Sequence, residues 1–138
     1  MEAKNMNMES VEWMARAERE YDAALVMYKM SYYRFALTHA QLGLVYALRA
    51  VAIGKGFEPH ETIDLDGIAR LIDSPPEVVQ VLEEIRGECS LIVKGQYWQD
   101  PDKEKVGLML DHAGGVLEWA ESALDDSCWS EKMEDKEV

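Results

Sequence analysis

The chain has little cysteine, little positive charge and no long apolar run, and each shortage removes a class of protein. Cys89 and Cys128 are the only cysteines in 138 residues. They stand too far apart for a zinc knuckle or a CxxC redox pair, so both are expected to be buried or incidental thiols. Against 27 acidic residues there are only 14 basic ones, a net charge of −13. That balance excludes a domain gripping nucleic acid over a broad surface, because phosphate binding is driven by Lys and Arg. No apolar run reaches the roughly 20 residues of a membrane-spanning helix. The opening MEAKNMNMES has no cationic start leading into an apolar stretch, so no secretory signal is expected and the default location is cytoplasmic. No segment alternates with period two, and no Gly-rich phosphate loop occurs.

Helical periodicity is what remains, and it is plentiful. At this length one core is enough without disulfides or metals. Residues 1–9 read as a flexible N-terminus, 10–126 as a helical bundle and 127–138 as a charged tail. Ser10 is the candidate N-cap of a first helix whose core face is Met14, Ala17, Tyr21, Ala24, Leu25 and Tyr28, with Arg16, Glu20 and Lys29 on the wet face. The second helix, Tyr33 to Gly54, is apolar around most of its circumference. Its small residues Ala36, Ala40, Gly43, Ala47 and Ala50 form one seam beside Leu37, Leu44, Leu48 and Val51. A third line runs through Phe35, His39, Leu42, Tyr46 and Ile53, and the polar stripe is Arg34, Thr38, Gln41 and Arg49. Such a helix must be covered on most sides.

Gly54 and Gly56 end the second helix. A short helix follows over Leu65 to Ile72. Ser74-Pro75-Pro76-Glu77 matches a capping box with Pro at the first helical position, opening a helix faced by Val78, Leu82, Ile85, Cys89 and Ile92. Asp100-Pro101 precedes the last long helix, with its core face Val106, Met109, Leu110, Ala113, Leu117, Ala120 and Leu124. Gly114 and Gly115 interrupt that pattern at about 1 kcal/mol each relative to Ala, which points to close helix contact or a kink. The expected fold is all-α, an antiparallel up-and-down bundle of four long helices plus one short helix.

The chemistry is sparse. A di-metal carboxylate site needs Glu-x-x-His, but the residues three before the histidines are Ala36, Phe57 and Met109. No metal site or cofactor is therefore expected. No Gly-x-Ser-x-Gly elbow occurs, so no catalytic nucleophile is assigned. Arg34 and His39 have a spacing that suits phosphate binding plus acid–base work, yet five residues turn a helix by about 500°, which leaves the two side chains roughly 140° apart. Trp13, Tyr97 and Trp98 are candidate base-stacking residues or plain core closures. The candidate ligand-binding residues are Arg34, His39, Arg49 and Tyr97, with the two arginines as phosphate candidates or ordinary surface ion pairs.

Several segments in order resemble the HEPN family, the nucleotide-binding domain of higher eukaryotes and prokaryotes. His39 to Ala50, HAQLGLVYALRA, is similar to the family's His-Ala-Gln-rich stretch; Gly54 to Gly56 is similar to its helix end. Thr62-Ile63-Asp64-Leu65 resembles the segment opening the short helix, Ser74 to Glu77 its Pro-Glu turn, and Gln96-Tyr97-Trp98 falls where many members carry Arg-Tyr-Pro. Val45 and Tyr46 stand where the family has Glu and Lys, Ile63 replaces its His, and Gln96 its Arg. Members that cleave RNA carry an Arg followed four to six residues later by His near the last long helix, whereas after Arg86 the next histidine here is His112. The resemblance implies a degenerate, non-catalytic member. It implies a homodimer binding a nucleotide or RNA at its cleft, and a minimal nucleotidyltransferase as protein partner in a toxin–antitoxin-type pair. A ribonuclease using Arg34, His39 or Tyr97 across a dimer cleft, and a ligand-free scaffold, are the alternatives.

Overall fold

The computed structural model describes residues 2–57, 65–93 and 101–137, with side-chain surroundings defined for 8–57, 66–91 and 101–125. Five helices follow one another: α1 Glu2–Lys29, α2 Tyr33–Gly54, α3 Leu65–Leu71, α4 Pro76–Val93 and α5 Lys103–Glu137, with no strand among the described residues. The chain is an all-α bundle of four long helices and one short one. Paired contacts fix the directions: Glu20–His39 with Trp13–Tyr46 sets α1 antiparallel to α2, Tyr21–Leu110 with Tyr28–Lys103 sets α1 antiparallel to α5, and Glu84–His112 with Glu88–Lys105 sets α4 antiparallel to α5.

Helix α2 is the centre. It packs against all four other helices, while α1 and α4 do not meet among the described residues. Both expected seams are buried: Ala36, Ala40, Gly43, Ala47 and Ala50, and Leu37, Leu44, Leu48 and Val51. Each fully buried Leu contributes about 1.5–3 kcal/mol. This packing has to hold α2 together, because Tyr32 provides no side-chain cap and the first turn contains no acid. By length and composition α2 would suit a membrane span, but over half of its most apolar window is buried inside the bundle. The third line is buried only in part: His39 and Tyr46 are half-buried against α1, whereas Phe35 is 60% exposed and Leu42 37% exposed, where no helix among the described residues covers α2.

Three helix ends share one geometry. Phe57 donates its N–H to Ala52 O and Gly56 to Ile53 O, with Gly56 at φ 92°, the 6→1 and 5→2 bonds of a Schellman ending. The same pair of bonds closes α1 with Ser31 at φ 67° and α3 with Asp73 at φ 55°. Lys55 Nζ then reaches Ile72 O at 2.9 Å and ties the end of α2 to the end of α3.

Two expected caps are not formed. Ser10 lies inside α1, which starts at Glu2 because residues 2–9 contain neither Gly nor Pro; it is buried beside Gly54. Helix α4 begins at Pro76, so Pro75 takes the N-cap position and Ser74 falls one residue too early. Its hydroxyl is buried with no hydrogen-bond partner. Helical backbone also continues past residue 126 to Glu137, through a segment free of Gly and Pro.

Candidate functional site

The tight turn between α1 and α2 sets one helix against the other in a fixed antiparallel register. Glu20 faces His39, and seven residues away on each helix Trp13 faces Tyr46. Two stripes therefore meet along one seam: Trp13, Arg16 and Glu20 from α1, and His39, Tyr46 and Arg49 from α2. Gly43 makes the close approach possible, since a Cβ there would lie 3.2 Å from the backbone oxygen of Ala17. Glu20, His39, Tyr46 and Arg49 are half-buried and Arg16 is exposed, so the seam is open to water along one side.

At one end His39 Nδ1 lies 2.7 Å from Glu20 Oε2, a contact that fixes the orientation of the ring. At the other end the Trp13 and Tyr46 rings lie 5.3 Å apart and tilted by 52°. Two guanidinium groups gather at the same indole: Arg16 Cζ is 4.7 Å and Arg49 Cζ 5.5 Å from its centroid. A cation over an indole gains about 0.5–1 kcal/mol when exposed and about 2 when desolvated. Neither arginine forms an ion pair among the described residues, and Arg49 Nε is buried with no hydrogen-bond partner.

The residues named from the sequence do not form one constellation. His39 and Arg49 lie on this seam, ten residues and so about 15 Å apart along α2. Arg34 sits in the first turn of α2, where its carbonyl accepts the Thr38 hydroxyl at 3.0 Å, and helical phase turns it about 140° from His39. Tyr97 lies outside the described residues. Sequence reasoning passed over Arg16 and Glu20, which it placed on a merely wet face. Their spacing from Trp13 marks one stripe, but its partners on α2 become visible only once the hairpin register is known.

Elsewhere the polar groups are tied in pairs. Arg86 of α4 is bound to Asp66 of α3, and Lys105 Nζ lies 2.5 Å from Glu88 Oε1. His112 Nδ1 of α5 lies 3.4 Å from Glu84 Oε2. No group of three or more His, Cys, Asp or Glu side chains gathers to hold a metal ion among the described residues. Cys89 is buried with its thiol 3.6 Å from Leu37 O, and burial, then the charge of Glu88, pushes its pKa up to about 11.

Among protein families, the model of the HEPN domain matches residues 10–123. No curated protein matches the chain.

Proposed function

The chain belongs to the HEPN domain family, one of nucleotide-binding and RNase-type modules, and we propose that it is a non-catalytic, homodimeric member that binds a nucleotide or a protein partner, a minimal nucleotidyltransferase in a toxin–antitoxin-type pair being the partner class that the family resemblance implies. The observation that carries the non-catalytic reading is the separation of Arg86 from His112. Both are engaged: Arg86 with Asp66 towards α3, and His112 with Glu84 towards α5. Glu84 and Arg86 leave α4 about 200° apart, so the two pairs sit on opposite flanks of that helix. An Arg and a His so placed cannot share one phosphodiester for binding and proton transfer.

Nucleotide binding draws its support from the α1–α2 seam, where two guanidiniums and two aromatic rings meet beside the His39–Glu20 pair. Self-association draws support from the uncovered side of α2, where Tyr32 and Phe35 make an edge-to-face pair while 49% and 60% exposed. Light scattering at micromolar concentration is expected to give twice the chain mass; a monomer would overturn the homodimer. Structured RNA incubated with pure protein is expected to remain intact, and cleavage lost in His112→Ala or His39→Ala would establish a ribonuclease instead.

A further inference from the structure

The geometry points to the Trp13–Arg16–Arg49 cluster as a phosphoryl-anion site, one that takes the 5′-phosphate of a mononucleotide. It rests on the nucleotide-binding reading above and names the part of the ligand that this seam would hold.

Charge gives the first reason. In a chain with 27 acidic residues, Arg16 and Arg49 form no ion pair among the described residues, and what sets them apart is that both are held at one indole. Their guanidinium carbons share one ring centroid at 4.7 and 5.5 Å, so they are no more than about 10 Å apart. Two like charges gathered at one ring repel, and no carboxylate among the described residues pairs with either. A phosphate monoester carries up to two negative charges and three acceptor oxygens, which suits a paired guanidinium site.

Hydrogen bonding gives the second. A guanidinium seated on a ring uses its face, which leaves its in-plane N–H groups for an acceptor. Arg49 Nε is buried and donates to nothing, and a buried donor without an acceptor is rare in a folded protein. Access is the third. Arg16 is exposed while Trp13, Tyr46 and Arg49 are half-buried, so an anion reaches the cluster from solvent and the rings shield one side of it. The positions are also rigid, because Trp13 and Arg16 share a helix face and Tyr46 and Arg49 stand three apart on the bundle's central helix.

Calorimetry and thermal melting on the full chain test this with adenosine 5′-monophosphate, inorganic phosphate and adenosine. The monophosphate and inorganic phosphate are expected to bind and raise the melting temperature, and adenosine to do neither. Arg16→Gln together with Arg49→Gln is expected to weaken the monophosphate by about tenfold or more, since two charge-assisted contacts are lost. Arg49→Lys, which keeps the charge without the fork, is expected to fall between and guards against misfolding of the Gln variant. Phosphate is also expected to alter indole emission in the native chain and not in Trp13→Phe. Unchanged affinity in the double variant would overturn this site while leaving nucleotide binding intact. Arginine-dependent binding of inorganic phosphate with none of the monophosphate would support the site and overturn the nucleotide reading. Binding of neither anion would overturn both.

Discussion

Gly107 and Gly114 stand seven residues apart on α5, and Tyr21 and Tyr28 seven apart on the antiparallel α1. The Tyr21 hydroxyl donates to Leu110 O at 3.0 Å and that of Tyr28 to Lys103 O at 3.3 Å, each the carbonyl four residues before a glycine. The missing side chain is what exposes that carbonyl. A Cβ at Gly114 would lie 2.6 Å from the Tyr21 oxygen, and one at Gly107 2.7 Å from that of Tyr28. Gly115 is different, for nothing lies within 4 Å of a Cβ placed there. Adjacent substitutions should therefore have opposite signs. Gly115→Ala is expected to stabilise the protein by up to about 1 kcal/mol through helix propensity alone. Gly114→Ala gains the same propensity but must displace the Tyr21 ring and its hydrogen bond, for a net loss of about 1–2 kcal/mol. Urea denaturation of both variants checks this, and adding Tyr21→Phe to Gly114→Ala should recover part of the loss. Equal effects at the two positions would mean that the tyrosine contact does not set the cost. Gly114 and Gly115 were legible in the sequence as a sign of close contact or a kink; that Gly114 makes the contact and Gly115 does not was not legible, because it depends on the phase of α1 against α5.

The legibility of the elements follows the same division between local and tertiary causes. Helices α2, α4 and α5 were readable because their apolar residues recur at helical spacing, and the buried seams of α2 coincide with those expected. Caps were not, since Ser10 and Ser74 occupy sequences suited to capping while the adjoining residues place the helix starts elsewhere. The seam of Trp13, Arg16, His39 and Arg49 was half readable. Its α2 members showed as polar residues on an apolar helix, whereas the α1 members needed the hairpin register. The pairing of α1 with α5 is one that no periodicity announces. Glu18 and Glu121 meet beside Asp125 in the groove between these helices. The hydrogen bond to Glu18 raises the Glu121 pKa above its usual 4.5, helped by partial burial and by the charges of Glu18 and Asp125. The folded state thus holds this proton more tightly than the unfolded chain, so stability falls as pH rises through the raised pKa. Glu121→Gln removes that penalty. The variant is expected to melt above the parent at pH 7, with the difference shrinking as pH falls through the raised pKa and lost below the ordinary 4.5, where the carboxyl is protonated folded or unfolded. Melting followed by circular dichroism across that range tests it, and a difference independent of pH would rule the proton out as its cause.

At the scale of the whole molecule, net charge acts on folding and on binding in opposite directions. The chain carries −13, of which residues 70–138 hold −10, so helices α4 and α5 pack while each is rich in the same sign. Of the described pairs, Arg86–Asp66, Lys105–Glu88 and His112–Glu84 each have a well-exposed partner, whereas His39–Glu20 is half-buried on both sides, and the two histidine pairs are ionic only with the imidazole protonated. Exposed pairs contribute under about 1 kcal/mol each. Repulsion among the excess acids, spread over one small bundle, is on the order of a few kcal/mol in dilute buffer. Salt screens both, with a Debye length of about 10 Å at 0.1 M and about 3 Å at 1 M. Because the repulsion is the larger of the two and is relieved on unfolding, sodium chloride added from about 0.02 to 0.5 M is expected to raise the melting temperature. The same salt should weaken a phosphate held by Arg16 and Arg49, since those contacts are electrostatic and open to solvent. Melting curves and monophosphate titrations over one salt series separate the two effects. A melting temperature that falls with salt would mean that the ion pairs outweigh the repulsion, and then Asp66→Asn, which breaks the α3–α4 pair, should abolish part of the fall.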